Sequence, residues 1–360
     1  MNDTPLPHAT GIEAHVLVPA RGVDAILSVP AQETLALLGP NGSGKSTVLG
    51  ALAGTVKADG GFTRLSERVL HRVDSPSGSS AGVPPRERRI ALVTQRADLF
   101  PAMNVRDNVA FGLRAQGTPR STARDMADAQ LARDDLSALG DRRPSSLSGG
   151  QARRVAIARA LVTQPNALLL DEPFAGIDVE AAQRVRALVR DQARDVTTII
   201  ATHDAADASL LADRIAVLDA GRVAEVGTVR DVLTQPLTAF AARMAGLRIV
   251  RGTLRSGSLV LADGSALRVR GDDVGNREGQ SAQAAIAPRH VRLADASEEA
   301  DTGIPDTVEA VEQHGDVVRV RGARLSADVD HIDAGHLRER ATIRWVVSEP
   351  VHAYACASTP

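Results

Sequence analysis

Gly39-Pro-Asn-Gly-Ser-Gly-Lys45-Ser46-Thr47 is the stretch on which the reading of this chain turns. It follows an apolar run, Thr34 to Leu38, and opens onto a helix-like stretch, Ser46 to Ala53. Strand, glycine-rich loop and helix in that order make a phosphate cradle. The glycines let successive backbone N–H groups, with the helix N-terminus behind them, close around anionic oxygens. Lys45 supplies a compact positive charge for the β- and γ-phosphates of a nucleotide, and the Ser46 hydroxyl is placed to hold Mg²⁺. Lysine is otherwise almost absent: only Lys45 and Lys57 occur, every other basic side chain being arginine. A lysine kept here, where a planar guanidinium would not substitute, points to use rather than chance.

A second acidic feature complements the loop. Ala167-Leu-Leu-Leu170-Asp171-Glu172-Pro173 is an apolar strand ending in two carboxylates. In a sheet covered on both faces, such acids lie at the strand C-termini where α/β ligands bind. Asp171 suits Mg²⁺, directly or through water, and Glu172 suits orienting and deprotonating an attacking water. A helix N-terminal acid pair would read the same way. Gln95 and His203 each fall just beyond an apolar run, Ile90–Val93 and Thr197–Ala201. Leu147-Ser148-Gly149-Gly150-Gln151 precedes a helix bearing Arg153 and Arg154. Its serine and glycines make either a simple cap or a second anion cradle.

Around these motifs the first two-thirds alternates short apolar runs with helical periodicity, as in an α/β domain with a largely parallel sheet. Strands are expected at 34–38, 90–93, 167–170, 197–201 and 214–218, and helices at 106–115, 121–138, 150–163 and 179–193. Asp219-Ala-Gly-Arg222 reads as a hairpin turn, and Ser75–Gly82 as a surface loop. After Gly246 the texture changes to short alternating strands, among them 259–261, 267–270 and 317–321, with no long helix. That pattern describes a small all-β barrel or sandwich. Segments 248–294 and 306–356 end in comparable runs, a hint of a repeated unit.

Composition narrows the classes. The 360 residues allow two or three domains. A net charge of −2 and 2% aromatic residues exclude the basic field and stacking platforms of a nucleic-acid binder. One cysteine, Cys356, permits no internal disulfide and fits a reducing compartment. Residues 1–10 lack the charged and apolar regions of a secretory leader. No apolar run approaches the roughly 18 residues of a membrane span.

In the order of its motifs the chain resembles the ATP-binding cassette (ABC) family of transporter ATPases over residues 10–245. Gly39–Thr47 corresponds to Walker A, Gln95 to the Q-loop and Leu147–Gln151 to the signature. Ala167–Pro173 matches Walker B, Asp178 the D-loop and His203 the switch histidine. The resemblance implies a P-loop NTPase cassette (RecA-like core with a helical subdomain at about 97–148) over 1–245. An OB-like β domain of the transport-associated (TOBE/MOP) type follows over 246–360. It further implies ATP and Mg²⁺ as ligands, with Ser46, Gln95 and Asp171 at the metal, Glu172 and His203 catalytic. Gly39, Pro40, Asn41, Gly42, Ser43, Gly44, Lys45, Ser46, Thr47 and Gln95 would bind the nucleotide, as would Ser148, Gly149, Gly150, Gln151 and Asp178. Two copies would pair head to tail, so that the signature of one completes the phosphate site of the other.

The same resemblance implies membrane permease subunits and, indirectly, a substrate-binding protein as partners, with no nucleic acid. The chain would sit at the cytoplasmic face of a bacterial membrane. Leu99–Gly112 is similar to importers of inorganic anions, metals and polyamines, and Ala287–Leu293 to a strand of their C-terminal β domain. Pro19–Gly22 looks most like molybdate importer ATPases, with sulfate or thiosulfate, ferric iron and polyamine importers as alternatives. Soluble relatives in DNA repair and chromosome structure insert a long coiled coil, and the stretch between Lys45 and Ser148 has no sustained heptads. Ribosome-associated relatives carry two cassettes. Two departures stand out. The D-loop reads Ala175-Gly-Ile-Asp178. No Phe, Tyr or Trp precedes Phe62, so Arg21, Val23 or an aliphatic neighbour replaces the family's adenine-stacking aromatic.

Overall fold

The computed structural model describes residues 10–73, 81–270, 278–294 and 303–356. The N-terminal ten-residue reading therefore falls almost wholly outside the described residues, as does most of the expected loop at 75–82. Two compact units divide after Val229.

In the first unit the central sheet has the order β11-β10-β3-β9-β8-β7. Its strands are β3 (Thr34–Leu38), β7 (Ile90–Val93), β8 (Ala167–Asp171), β9 (Thr197–Thr202), β10 (Arg214–Asp219) and β11 (Arg222–Thr228). All but β11 run parallel to their neighbours. Every residue of β8 and β9 is buried, as their apolar runs require of strands covered on both faces. A second, antiparallel sheet joins β1 (Thr10–Val18), β2 (Val23–Pro30), β4 (Gly60–Leu65), β5 (Arg68–Val73) and β6 (Ala81–Gly82). Helix α1 (Lys45–Ala53) packs in one core with both sheets and is buried nearly all round, so its sequence carries no polar face.

A helical layer contains α2 (Val105–Ala115), α3 (Arg120–Arg133) and α4 (Gly149–Leu161), whose shared core includes Val109, Leu131 and Val155. Helix α3 stops at Arg133, short of the expected Ala138. Asp135 takes a left-handed backbone, φ 55°. The Leu136 amide donates to the Leu131 carbonyl at 2.7 Å and the Asp135 amide to that of Ala132. This is a Schellman closure, sealed by the buried pair Leu131 and Leu136. Helices α5 (Val179–Gln192) and α6 (Ala205–Leu211) complete the unit.

The second unit begins with α7 (Val229–Thr234) and α8 (Ala239–Met244), ahead of the change of texture at Gly246. The Pro236 carbonyl explains this, because it accepts from Gln283 Nε2 at 3.0 Å and the Tyr354 hydroxyl at 2.8 Å. A closed barrel follows from β12 (Arg248–Arg255), β13 (Ser258–Val260), β14 (Ala266–Arg270), β15 (Ser281–Ile286) and β21 (Val351–Ala355). A five-stranded sheet contains β16 (Val291–Leu293), β17 (Ile304–His314), β18 (Val317–Gly322), β19 (Ser326–Val329) and β20 (Thr342–Val347). The one-turn α9 (His331–Ala334) lies between β19 and β20. The hint of a repeat is realised as an exchange. Each segment supplies five strands, and each gives its fifth, β16 or β21, to the other's sheet.

Asp306 ties this unit together. Its Oδ2 accepts from the amides of Arg324 (2.9 Å) and Leu325 (3.1 Å) and from the indole of Trp345 (2.7 Å). Gly322 faces the same carboxylate, 2.2 Å from where a Cβ would stand. Asp306→Ala strands three donors, two of them buried, and is expected to destabilise the unit by on the order of 3–5 kcal/mol. Trp345 is the chain's only tryptophan, so its emission during thermal unfolding reads this change directly. An unchanged midpoint would remove Asp306 from that role. No described helix is long and apolar enough to cross a membrane.

Candidate functional site

The loop between β3 and α1 is shaped by what its glycines exclude. A Cβ on Gly39 would lie 2.3 Å from the Leu218 carbonyl. Gly44 has φ 105° and caps α1 without a side-chain hydrogen bond, so the first-turn amides are free to meet an anion. The Asp219–Arg222 turn holds the loop in place: the Gly221 amide donates to the Ser43 carbonyl at 3.1 Å. Lys45 is 5% exposed. Its ammonium donates to the Gly39 and Pro40 carbonyls at 2.8 and 3.1 Å. Burial pushes its pKa down, and the nearby Glu172 and Asp171 charges oppose that shift.

Asp171 ends β8. Burial raises its pKa, while a hydrogen bond from Ser46 and the charges of Lys45 and Arg153 pull it back. Its Oδ1 is buried without a hydrogen-bond partner. Among the described residues no cluster of three His, Cys, Asp or Glu side chains is placed to hold a metal alone. One carboxylate beside one hydroxyl is instead the donor set of a Mg²⁺ shared with phosphate and water. The spare Oδ1 fits that use.

Glu172 follows in a left-handed backbone, φ 45°, uncommon for a side chain with a Cβ. Its amide donates to the Ala201 carbonyl at 2.9 Å, which fixes the residue between β8 and β9. Gln95 Nε2 lies 3.5 Å from one carboxylate oxygen and His203 Nδ1 3.6 Å from the other. The Glu172 side chain is 16% exposed and that of His203 58%, so the pair opens outward. Gly39–Thr47, Gln95, Asp171, Glu172 and His203 thus meet at one sheet edge. A water held between Glu172 and His203 would have an acceptor for its proton next to the phosphate cradle.

Ser148–Gln151 and Asp178 do not join them. Ser148 and Gln151 form a reciprocal capping box at the start of α4, at 3.3 and 3.0 Å. Asp178 caps α5 through the Ala181 amide at 2.8 Å. The two helix starts pack on each other, a Cβ at Gly150 falling 2.5 Å from that of Ala181. No hydrogen bond or ion pair among the described residues links either to the phosphate loop. Two further contacts had weaker sequence signals. Arg153 Nη1 donates to the carbonyl of Thr94, next to Gln95, at 2.7 Å. Arg21 Nη1 stands 3.5 Å from Thr47 Oγ1.

A family model described as ABC transporter matches residues 24–175. The molybdenum import ATP-binding protein ModC of Mycobacterium tuberculosis is 44% identical over 249 residues, 68% of this chain and 66% of its own length. The sulfate/thiosulfate import ATP-binding protein CysA of Mycolicibacterium paratuberculosis is 36% identical over 82% of this chain and 83% of its own. The chain belongs to the ABC transporter family. Among solved ABC structures, a dimeric cassette in a post-hydrolysis state bound to ADP and Pi superposes with a TM-score of 0.53. It is 26% identical, over 61% of this chain and 99% of that one. The family match at residues 24–175 falls within the first unit.

Proposed function

We propose that this ABC protein is the ATP-hydrolysing subunit of a membrane importer, for molybdate. The observation that carries the reading is Glu172, held between Gln95 and His203 beside the Lys45 cradle. The likeness to ModC over 66% of that protein's length supports the choice of cargo. Lys45 and the first amides of α1 bind the β- and γ-phosphates of ATP. Glu172 takes the proton of the attacking water, and His203 orients that water and the γ-phosphate. Ser46 and Asp171, with Gln95, would hold Mg²⁺, which would supply positive charge against the negative charge that develops on the phosphates.

Separation of Ser148–Gln151 from the cradle of its own chain supports a head-to-tail homodimer. The capped start of α4 then presents amides to the nucleotide on a second copy. ATP closes the pair because it touches both copies, and hydrolysis removes those contacts. The work is delivered at the cytoplasmic face to permease subunits that receive cargo from a substrate-binding protein. The test is ATPase activity of the subunit with its permease and anion-loaded binding protein, one anion at a time. Molybdate is expected to stimulate turnover most. Equal or stronger stimulation by sulfate or thiosulfate would reassign the cargo.

A further inference from the structure

Behind the site, one arginine holds two of its loops. Arg186 projects from α5, with its guanidinium carbon 5.0 Å from the centroid of the Phe174 ring. Phe174 lies inside the turn that carries Glu172, closed by the Ala175 amide on the Glu172 carbonyl at 3.2 Å. The same guanidinium donates through Nε to Asp207 Oδ1 at 2.7 Å. Asp207 Oδ2 accepts from the Thr202 hydroxyl at 2.9 Å, and Thr202 Oγ1 accepts from the Asp204 amide at 3.1 Å. These bonds hold the Thr202 side chain and the Asp204 backbone, the residues on either side of His203. The Asp207 side chain is 4% exposed and that of Arg186 21%. A charge pair so enclosed is costly to separate and has one favourable geometry.

We propose that Arg186 is a positioning residue for hydrolysis, clamping the Glu172 turn through Phe174 and the His203 loop through Asp207 and Thr202. The inference rests on the hydrolytic reading of Glu172 and His203. Arg186 and Asp207 bond to Phe174 and Thr202 and so fix the separation of the turn that carries Glu172 from the loop that carries His203. Both loops hang from α5, the helix capped by Asp178. A shift of that helix therefore reaches Glu172 and His203 together.

The test compares kcat for ATP, nucleotide affinity and thermal midpoint in the full chain and four variants. Asp207→Asn and Thr202→Val each weaken one bond of the clamp. Arg186→Met combined with Asp207→Leu removes both buried charges, a replacement that cores tolerate. Arg186→Lys keeps the charge without the planar fork. The double variant is expected to lose about 10- to 100-fold in kcat, as for misplacement by about 1 Å. Its ATP affinity should stay within about twofold, a split that assigns the loss to the chemical step. Arg186→Lys should recover part of kcat, while Asp207→Asn and Thr202→Val should fall between. Unchanged kcat in the double variant overturns the clamp, as does a parallel fall of kcat, affinity and midpoint in every variant. If the double variant does not fold, the same criteria apply to Thr202→Val and Asp207→Asn. Absence of ATP hydrolysis by the unaltered chain overturns the functional reading and the clamp together.

Discussion

Glu172→Gln is expected to lower ATP turnover at least about 100-fold while nucleotide binding survives. The amide has the shape of the carboxylate, and its oxygen still accepts from Gln95, now 3.5 Å from Glu172 Oε2. It cannot take a proton from water. The backbone should hold as well, because φ 45° at this position is imposed by the amide's bond to the Ala201 carbonyl and by the turn to Ala175. With hydrolysis blocked and binding intact, ATP should accumulate in a closed pair, seen as a dimer by size exclusion in ATP and a monomer without it. Turnover near that of the unaltered chain would remove Glu172 from the chemistry.

Lys45→Ala and Ser148→Arg are each expected to lower hydrolysis by about 100-fold or more, for different reasons. Lys45 is a buried ammonium whose present partners are two loop carbonyls, so phosphate oxygens can replace them at little cost in solvation. Alanine leaves the phosphates without that charge. Ser148 lies at the start of α4, in a capping box with Gln151. Arginine there breaks the box and fills the surface that the second copy's nucleotide would meet. The first variant should lose nucleotide affinity. The second should keep its own cradle and lose only the closed state.

Much of the cassette was legible in the chain because its motifs are local. The limits of β3 and β7 match the apolar runs at Thr34–Leu38 and Ile90–Val93 to the residue; β3 is buried on both faces over Leu35–Leu38, where a polar interruption would not be tolerated. The overrun of α3 arose because nothing in Asp134-Asp135-Leu136 marks a left-handed residue as glycine would. The pairing of Gln95 and His203 with Glu172 depends on three strand ends meeting, and sequence places each only beyond its own run. The Arg186–Asp207–Thr202 clamp left no signal, because its members lie on separate elements and read as ordinary polar residues. In the tail, alternation identified strands but not their sheets. The exchange puts β16 beside β20 at the edge of the five-stranded sheet and β21 between β14 and β15 of the barrel, pairings between distant segments that alternation alone does not specify.

The central claim is that one chain carries half of each ATP site and a second copy supplies Ser148-Gly149-Gly150. It is tested most directly by mixing Lys45→Ala and Ser148→Arg chains at varied ratios and measuring ATP occlusion. In a mixed pair, the intact cradle of the Ser148→Arg chain faces the intact signature of the Lys45→Ala chain. Occlusion should be near zero for either variant alone and rise to a maximum near equal proportions. Occlusion that stays near zero at every ratio would contradict a site shared between two copies.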